Sequence, residues 1–286
     1  MQLLGDGRRN DQRAENLSKN RLENLMSNEN IQYADEFINR LEILWGEGFL
    51  SPGGADEVKL VLKDIDLNNK SILDIGCGTG GVEVVLAGEF DIDRVTGIDV
   101  EPQLVERTQK LVDKKGLSAK VKVELVDPGP LDFANNEFDI VFSKDSMIHI
   151  PDKNAIFSEI LRVLKPGGVF AASDWLVGEN ADSSPEWARV RNLSHLDFKV
   201  FTAAETELAM RQAGFEQVST LDRNAWYASN SATEYRQLEG PLRERILEVA
   251  DEEVYEHWMK VRRAFRDSAA VGALRPTHLR GYKARD

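Results

Sequence analysis

The chain has 286 residues, of which 42% are hydrophobic, and this length suits one large domain or one domain with an appended lobe. Its formal net charge of −13 disfavours a nucleic-acid partner, which needs a clustered basic surface, and favours a small-molecule one. No apolar run approaches the roughly 18 residues of a membrane span, and the one cysteine, Cys77, excludes an internal disulfide. We therefore expect a cytoplasmic protein, monomeric or homodimeric, without a membrane partner.

The first 50 residues predict a helical arm in front of the main domain. Residues 1–30 are polar and rich in Asn and Arg, and an arm of this kind in front of a ligand cleft can serve as a lid. Apolar residues recur at helical spacing over residues 36–50 until SPGG, at residues 51–54, breaks the helix. We predict an arm and lid over residues 1–50 and a ligand-binding core over residues 51–229.

Strand and helix patterns then alternate, as expected for an α/β fold. The predicted strands are residues 71–75, 94–100, 121–127, 138–145, 169–175 and 215–221, and the helices between them are residues 82–90, 102–114, 154–164 and 203–213. Residues 230–268 read as helical, and HLRGYKARD, residues 278–286, as a short edge strand. Because ligands bind at the carboxyl ends of parallel strands, we expect the functional residues directly after strands.

The segment ILDIGCGTGG, residues 72–81, predicts a cofactor-binding turn after the first strand. Gly76 and Gly78 let a backbone approach a ligand without a Cβ in the way. In a dinucleotide enzyme the ligand is a pyrophosphate, and Asp74 places an anion where a pyrophosphate disfavours one. The pattern therefore favours a cationic cofactor, such as the sulfonium S-adenosyl-L-methionine.

Two further aspartates follow the next two predicted strands. Asp99 is placed to accept hydrogen bonds from a ribose diol, and Asp127 to hold an adenine amino group beside Val100 and Pro128. A single such aspartate is also explained as a helix cap or a solvated residue. Three at successive strand ends, with the glycine turn after the first, favour a cofactor site.

The segments ILDIGCGTGG, GIDVEP, FDIVFSKD and LRVLKPGGVFAASDW together resemble the class I S-adenosylmethionine-dependent methyltransferases over about residues 50–225. This resemblance implies a Rossmann-like sheet of seven strands with helices on both faces and an antiparallel last strand. Residues 230–286 would then be a helical insertion and the final strand of the same domain. The segments ENIQYADEF, WGEGFLSPGG, SKDSMIHI and RGYKA resemble, more narrowly, the phosphoethanolamine N-methyltransferases of protozoa, nematodes and plants.

The narrower resemblance implies a catalytic set of Tyr33, Asp145 and His149. Asp145 would face the acceptor, and His149 would take the proton that an amine must lose before it attacks. His149 is four residues after Asp145, so a helical turn that began at Asp145 would put both on one face. A lid helix could bring the Tyr33 hydroxyl to His149, and this latch would exclude water. The same resemblance adds Gln32, Tyr33, Ser51 and Ser143 to the cofactor-binding residues.

For the acceptor we predict five binding residues: Lys144, Trp175, Arg189, Arg191 and Tyr282. Trp175 is either an aromatic wall against a methylated cation or a core residue. The connection PEWARVRNLSHLDFKVF has no tyrosine, although phosphate is held by tyrosines and an arginine here in the family, and Lys144 replaces a family arginine. Arginine forks match phosphate and carboxylate alike, so the chemistry of the anionic group stays open.

These residues indicate N-methylation of a small amine with an anionic tail, such as phosphoethanolamine. The first alternative is methylation of the sulfur, carboxylate or hydroxyl of another small metabolite, for example a methionine-like compound. The second is a nucleotide-binding protein of another class, either a dehydrogenase or a noncatalytic sensor. The histidines show no HxxxH or HExxH spacing, so we predict no metal.

Overall fold

The computed structural model describes residues 32–285. The chain divides into two compact units, residues 1–34 and 35–286, and the fold below is that of the second unit. The polar arm predicted over residues 1–30 lies outside the described residues.

Helices and strands alternate along the second unit. The strands are β1 Ser71–Ile75, β2 Arg94–Asp99, β3 Val121–Leu125, β4 Phe138–Lys144, β5 Leu164–Val177, β6 Glu216–Asp222 and β7 Leu274–Tyr282. The helices are α1 Asp35–Trp45, α2 Gly54–Val61, α3 Gly81–Glu89, α4 Pro102–Lys114, α5 Lys153–Val163, α6 Pro185–Leu193, α7 Ala203–Ala213, α8 Asn224–Glu239, α9 Arg243–Leu247 and α10 Glu252–Ala270. Short 3₁₀ turns lie at Met147–His149 and Ala181–Ser183.

The seven strands form one sheet in the order β3-β2-β1-β4-β5-β7-β6. Strands β1 to β5 pair in parallel, and β7 runs antiparallel to both β5 and β6. The strand order reverses between β1 and β4, and this switch point is where open α/β sheets bind ligands. The predicted seven-stranded α/β sheet with an antiparallel last strand is confirmed.

Apolar side chains cover both faces of the sheet and the helical insertion. One cluster packs α5 and α7 on one face, through residues such as Phe157, Ile160 and Met210. A second packs α2, α3 and α4, and a third joins the end of β5 to α6, α8 and α10. Each fully buried large apolar side chain contributes roughly 1.5–3 kcal/mol, so these clusters stabilise the sheet that positions the strand ends.

Three element bounds differ from the sequence prediction. β5 begins at Leu164, because KPGG forms a bulge between Leu164 and Val169 instead of ending a helix before the strand. The first helix ends at Trp45, where Gly46 and Gly48 take positive φ angles. The predicted helical region 230–268 is three helices, of which α8 ends before Gly240 and Pro241.

Candidate functional site

The glycine turn after β1 is closed against the end of β2. The Gly76 and Gly78 φ angles are +79° and +58°, conformations that favour glycine. The Gly76 N–H donates to the Ile98 carbonyl at 2.9 Å, and the Gly78 N–H donates to Asp99 Oδ2 at 3.0 Å. A Cβ at Gly76 would lie 2.3 Å from Ser146 Cβ, so only glycine lets the segment after β4 approach the turn.

A second glycine contact, between Gly48 and Gly81, was not predicted. The Gly81 N–H, at the start of α3, donates to the Gly48 carbonyl at 2.9 Å. A Cβ on Gly48 would lie 2.8 Å from the Gly81 Cα, so the two backbones touch. The signal in the sequence is the GEG of WGEGF after the first helix, and its effect is to hold this loop against the glycine turn.

Asp74 ends β1 as a buried carboxylate without a hydrogen-bond donor. Neither of its oxygens has a hydrogen-bond partner within residues 32–285. Burial and the negative charge of Asp99 together raise the pKa of Asp74 to about 7, although Glu83 and Lys144 act to lower it. A buried, unpaired carboxylate beside a glycine turn suits a cationic group and disfavours a pyrophosphate.

Asp99 lies at the neighbouring strand end. Its Oδ1 accepts a hydrogen bond from the Glu101 N–H at 3.1 Å, and burial raises its pKa to about 6. The Asp99 carbonyl accepts from the Val126 N–H at 3.0 Å, which places the end of β3 beside it. The carboxylate is thus positioned at the rim of the glycine turn, and its contact with a ribose stays a prediction.

Apolar surface is exposed next to Asp99. Val100 is 49% exposed, and Asp127 and Pro128 are also exposed. Strand β3 ends at Leu125, so Asp127 lies two residues beyond the strand and not at its end. An exposed valine beside a polar strand end is a suitable surface for a planar ring.

Lys144, at the end of β4, joins the loop of Ser51 and Pro52 to Asp145. Its buried ammonium group donates to Ser51 Oγ at 2.5 Å, to the Pro52 carbonyl at 2.9 Å and to Asp145 Oδ2 at 2.9 Å. An ammonium group has three N–H donors, so all three are engaged. The prediction that Lys144 binds the acceptor gains no support, and the residue instead fixes the Ser51 loop to Asp145.

Asp145 has a strained backbone and a fully held side chain. Its φ angle is +57°, in the left-handed region that non-glycine residues seldom adopt. Its Oδ1 accepts from Ser173 Oγ at 2.7 Å, and its backbone N–H donates to the Ser173 carbonyl at 2.8 Å. Strain of this kind, held by neighbouring bonds, is typical of functional sites.

His149 lies on the 3₁₀ turn Met147–His149, which follows Asp145. The expectation that one helical turn carries both residues is wrong, because Asp145 is left-handed and the turn begins at Met147. Burial lowers the pKa of His149, while a hydrogen bond with the Asp197 backbone raises it. The imidazole lies 5.9 Å from the Phe198 ring, centroid to centroid.

Ser143 is fully buried and bonded within the protein. Its hydroxyl donates to the Ile75 carbonyl at 2.9 Å and lies 2.7 Å from Ser146 Oγ. Ser146 Oγ donates to the same carbonyl at 2.6 Å. The predicted cofactor contact of Ser143 gains no support from these bonds, which join the end of β4 to the end of β1.

Trp175 is a buried residue of the third core cluster. Its ring makes edge contacts with Tyr227 at 4.8 Å and with Phe265 at 5.7 Å, measured between centroids. Of the two roles left open by the sequence, this packing favours the core residue. Through Tyr227 it connects the end of β5 to α8.

Three predicted acceptor residues lie on α6 and at the end of β7. Arg189 and Arg191 are on the outer face of α6, 56% and 48% exposed, with ion pairs to Glu186 and Asp182. The Cα of Tyr282 pairs with Val169, near the start of β5, because β7 is antiparallel and its last residues reach the opposite edge of the sheet. These positions give no support to the acceptor roles of Arg189, Arg191 and Tyr282, which stay predictions.

Arg262 is a buried cation on α10 that the sequence reading missed. Its Nη2 donates to Glu234 Oε2 at 2.8 Å and to the Tyr227 hydroxyl at 3.3 Å. Its guanidinium lies 5.0 Å from the Trp45 ring, and its Nε has no hydrogen-bond partner within residues 32–285. The signal was an arginine on the apolar stripe of helix 252–270, where Trp258 and Phe265 also point inward.

Two predicted lid residues lie in the first compact unit of the chain. Gln32 and Tyr33 belong to the unit of residues 1–34, so their predicted contacts with the cofactor and with His149 stay predictions. Within residues 32–285, no helix is long and apolar enough to cross a membrane. Over the same span, no group of three or more His, Cys, Asp and Glu side chains could hold a metal ion.

Comparisons with known proteins agree with a site for a methyl donor. A family model described as a methyltransferase domain matches residues 66–230. Phosphoethanolamine N-methyltransferase 3 of Arabidopsis thaliana is 35% identical over 68% of this chain and 39% of its own length. The 27-O-demethylrifamycin SV methyltransferase of Amycolatopsis mediterranei is 29% identical over 83% of this chain and 92% of its own length.

Solved structures give the same fold. Phosphoethanolamine N-methyltransferase 2 of Haemonchus contortus, in complex with phosphomonomethylethanolamine and S-adenosylhomocysteine, is 25% identical. It superposes with a TM-score of 0.81 and covers 89% of this chain and 59% of that one. The chain spans about two fifths of the length of the plant relatives it matches.

Proposed function

The chain belongs to the methyltransferase domain family, and from this we propose that it transfers methyl groups from S-adenosyl-L-methionine to the nitrogen of a small amine with an anionic tail. The observation that carries the acceptor assignment is Asp145, a strained and buried carboxylate at the end of β4. Phosphoethanolamine and its methylated forms are the model acceptors, because the relatives named for this activity are similar over two thirds of the chain.

The donor would be held by the carboxyl ends of β1, β2 and β3. Asp74 would face its ammonium group, and Gly76 and Gly78 would let the turn approach its methionyl part. Asp99 would accept from the ribose hydroxyls, and the exposed Val100 would cover the adenine ring beside Asp127. When bound, the sulfonium supplies an activated methyl group, and positive charge moves toward the acceptor as the methyl is transferred.

Asp145 and His149 would divide the work on the acceptor. An amine gains positive charge during methylation, and a carboxylate fixed by Ser173 and Lys144 stabilises that charge without having to reorganise. Burial lowers the pKa of His149, so the imidazole is neutral at pH 7 and able to accept a proton from the amine. In the family resemblance, Tyr33 closes over His149, and we retain this Tyr–His latch as part of the proposal.

Arg262 is the side chain best suited to the anionic tail. It is buried beside Tyr227, which packs on Trp175. Burial raises the pKa of the Tyr227 hydroxyl, and the charge of Asp145 is a smaller effect in the same direction. Arg262 has an N–H without an acceptor, whereas Arg189 and Arg191 face solvent. An anion in this region would complete the hydrogen bonding of the guanidinium.

Methylation of a hydroxyl is the second candidate, and the rifamycin relative favours it. That relative is matched over 92% of its length, whereas the plant enzymes are matched over about two fifths. The chain also has Lys144 in place of a family arginine and no tyrosine in residues 185–201, and both are departures from the phosphobase pattern.

The deciding experiment is an acceptor panel with isotopically labelled S-adenosyl-L-methionine. The panel contains phosphoethanolamine with its mono- and dimethyl forms, amino acids, thioethers and small alcohols, and mass spectrometry identifies the products. We expect label on an amine nitrogen, with the greatest rate for an amine that carries a phosphate or carboxylate. Turnover of a thioether, carboxylate or hydroxyl compound while every amine stays unlabelled would overturn the assignment.

A further inference from the structure

Glu83, in the first turn of α3, is a buried carboxyl group directly behind Asp74. Its side chain is fully buried, and neither of its oxygens has a hydrogen-bond partner within residues 32–285. Gly97 makes the room for it, because a Cβ at that residue would lie 2.4 Å from Glu83 Oε1. Gly97 is the β2 residue that pairs with Asp74, so the glutamate is inserted between the helix and the two strands that carry the cofactor aspartates.

The carboxyl groups of Asp74 and Glu83 interact with each other, and within residues 32–285 none of their four buried oxygens has a hydrogen-bond donor. Asp99 adds a further negative charge from the end of β2, and Cys77 faces the group from the turn with a thiol pKa that burial raises. Lys144, from β4, is the cation that acts on Asp74. Two adjacent buried carboxyl groups cannot both ionise at low cost, so one proton resides on the pair.

The proton belongs on Glu83. Burial raises the pKa of Glu83 well above its ordinary value, and the charge of Asp74 raises it further. Burial also raises the pKa of Asp74, but Glu83 and Lys144 both act to lower it, whereas the interaction with Asp74 raises the pKa of Glu83. A protonated Glu83 has one O–H donor, and a hydrogen bond to Asp74 would satisfy the donor and one acceptor together.

We propose that Glu83 is a positioning residue for the methyl donor: a neutral carboxylic acid whose O–H donates to Asp74 and keeps the Asp74 carboxylate ionised and aimed at the donor's ammonium group. The inference rests on the proposed function in one respect, because it assumes that a cationic methyl donor binds at Asp74. It assigns Glu83 no contact with the donor or the acceptor.

Two substitutions of similar volume separate this role from simple packing. Glu83→Gln keeps an N–H that can donate to Asp74, and Glu83→Leu removes the donor. Titration calorimetry with S-adenosylhomocysteine, which carries the same ammonium group, measures affinity from pH 6 to 8.5. We expect Glu83→Gln to bind within about threefold of the unsubstituted protein and Glu83→Leu at least about tenfold more weakly at pH 7.5.

The pH dependence of the affinity for S-adenosylhomocysteine is a property that a loss of packing alone would not change. Affinity should fall with decreasing pH as Asp74 is protonated. In Glu83→Leu, which lacks the donor to Asp74, this fall should occur at higher pH, whereas in Glu83→Gln it should occur at the same pH as in the unsubstituted protein. The matched control is Glu89→Leu, on the exposed side of the same helix, which should change neither affinity nor profile. If Glu83→Leu binds like the unsubstituted protein at every pH, the proposal is wrong.

Infrared difference spectroscopy keeps the test decisive if Glu83→Leu does not fold. The unsubstituted protein minus Glu83→Gln should show the C=O stretch of a protonated carboxyl group at pH 8, and absence of that band would overturn the proposal. Failure of the unsubstituted protein to bind S-adenosylhomocysteine would contradict the proposed function instead, and the infrared band would still report on Glu83.

Discussion

At the scale of single residues, Asp145 offers the cleanest test of the acceptor site. Asn tolerates the left-handed conformation at φ +57°, so Asp145→Asn removes the charge without adding backbone strain. We expect kcat to fall by about 10²-fold or more, because the developing positive charge loses its stabilising carboxylate. Affinity for S-adenosylhomocysteine should stay within about threefold, since Asp145 does not belong to the donor site.

The control for this prediction is Ser173→Ala, which removes one hydrogen bond to Asp145 but keeps its charge. It should lower kcat by far less than Asp145→Asn. Equal activity of Asp145→Asn and the unsubstituted protein would show that the carboxylate has no part in methyl transfer.

His149 predicts the pH dependence of turnover. Its pKa lies below 6.5 because burial disfavours the charged ring, so the residue stays a competent base at pH 7 and loses this role as the pH falls below 6.5. At saturating donor, kcat should be flat near pH 7.5 and should decline on the acid side of pH 6.5. His149→Gln should lower kcat and abolish that decline. If kcat of the variant still declines below pH 6.5 as in the unsubstituted protein, the decline arises from the titration of another group.

At the scale of elements, variants of the Arg262–Glu234 pair between α10 and α8 test substrate binding and stability separately. Arg262→Gln alone leaves the buried Glu234 without its cation, although Trp45 and Asn230 still donate to it, so this variant should be less stable. The double variant Arg262→Gln with Glu234→Gln removes both charges and should recover much of the lost stability. If Arg262 binds the anionic tail, the double variant should still show a KM for the anionic amine raised about tenfold or more.

Arg189→Gln provides the surface control, because Arg189 is exposed on α6 and should leave KM unchanged. Steady-state kinetics with an anionic amine and its uncharged analogue complete the design. A normal KM for the anionic amine in the double variant would exclude Arg262 from the acceptor site.

Glu57, on α2, joins that helix to the β6–β7 edge of the sheet. It accepts from Arg223 Nη2 at 2.9 Å and lies 2.6 Å from His278 Nε2. Although burial raises its pKa, the bonds to His278 and Arg223 outweigh burial and lower that pKa to about 2. A lowered carboxyl pKa stabilises the fold above pH 4.5, and this stabilisation is lost as the pH falls from 4.5 toward 2.

We therefore expect Glu57→Gln to reduce the free energy of unfolding at pH 7 by about 2 to 3 kcal/mol. The difference from the unsubstituted protein should shrink as the pH falls toward 2, as measured by urea unfolding at each pH. Glu89→Gln, which breaks an exposed pair with Lys59, should have little effect at any pH. A pH-independent difference for Glu57→Gln would exclude the titration as its cause.

Local patterns predicted the elements better than they predicted the acceptor residues. Strand 71–75 and helices 102–114 and 203–213 have the expected bounds, because periodicity and glycine conformation are local properties. The position of Tyr282 beside Val169 depends on the direction of the last strand, which a local pattern does not record. Arg262 was missed because its pairing with Glu234 joins residues 28 positions apart, which no local pattern records.

At the scale of the whole molecule, we expect the larger compact unit to fold without the first 34 residues. The residues of the three apolar clusters all lie within residues 35–286, the larger of the two compact units. A chain of residues 35–286 should therefore unfold cooperatively, with a melting temperature within a few degrees of the full chain. Because this chain lacks Gln32 and Tyr33, it should also lose the proposed lid.

We expect the chain of residues 35–286 to bind S-adenosylhomocysteine more weakly and to lose nearly all turnover, since a closed lid excludes water and completes the site. Tyr33→Phe in the full chain isolates the hydroxyl of the proposed latch. It should lower kcat and leave the melting temperature unchanged. Full activity in the shortened chain would show that Asp145 and His149 act without a lid, whereas loss of folding would show that the first 34 residues contribute to the core after all.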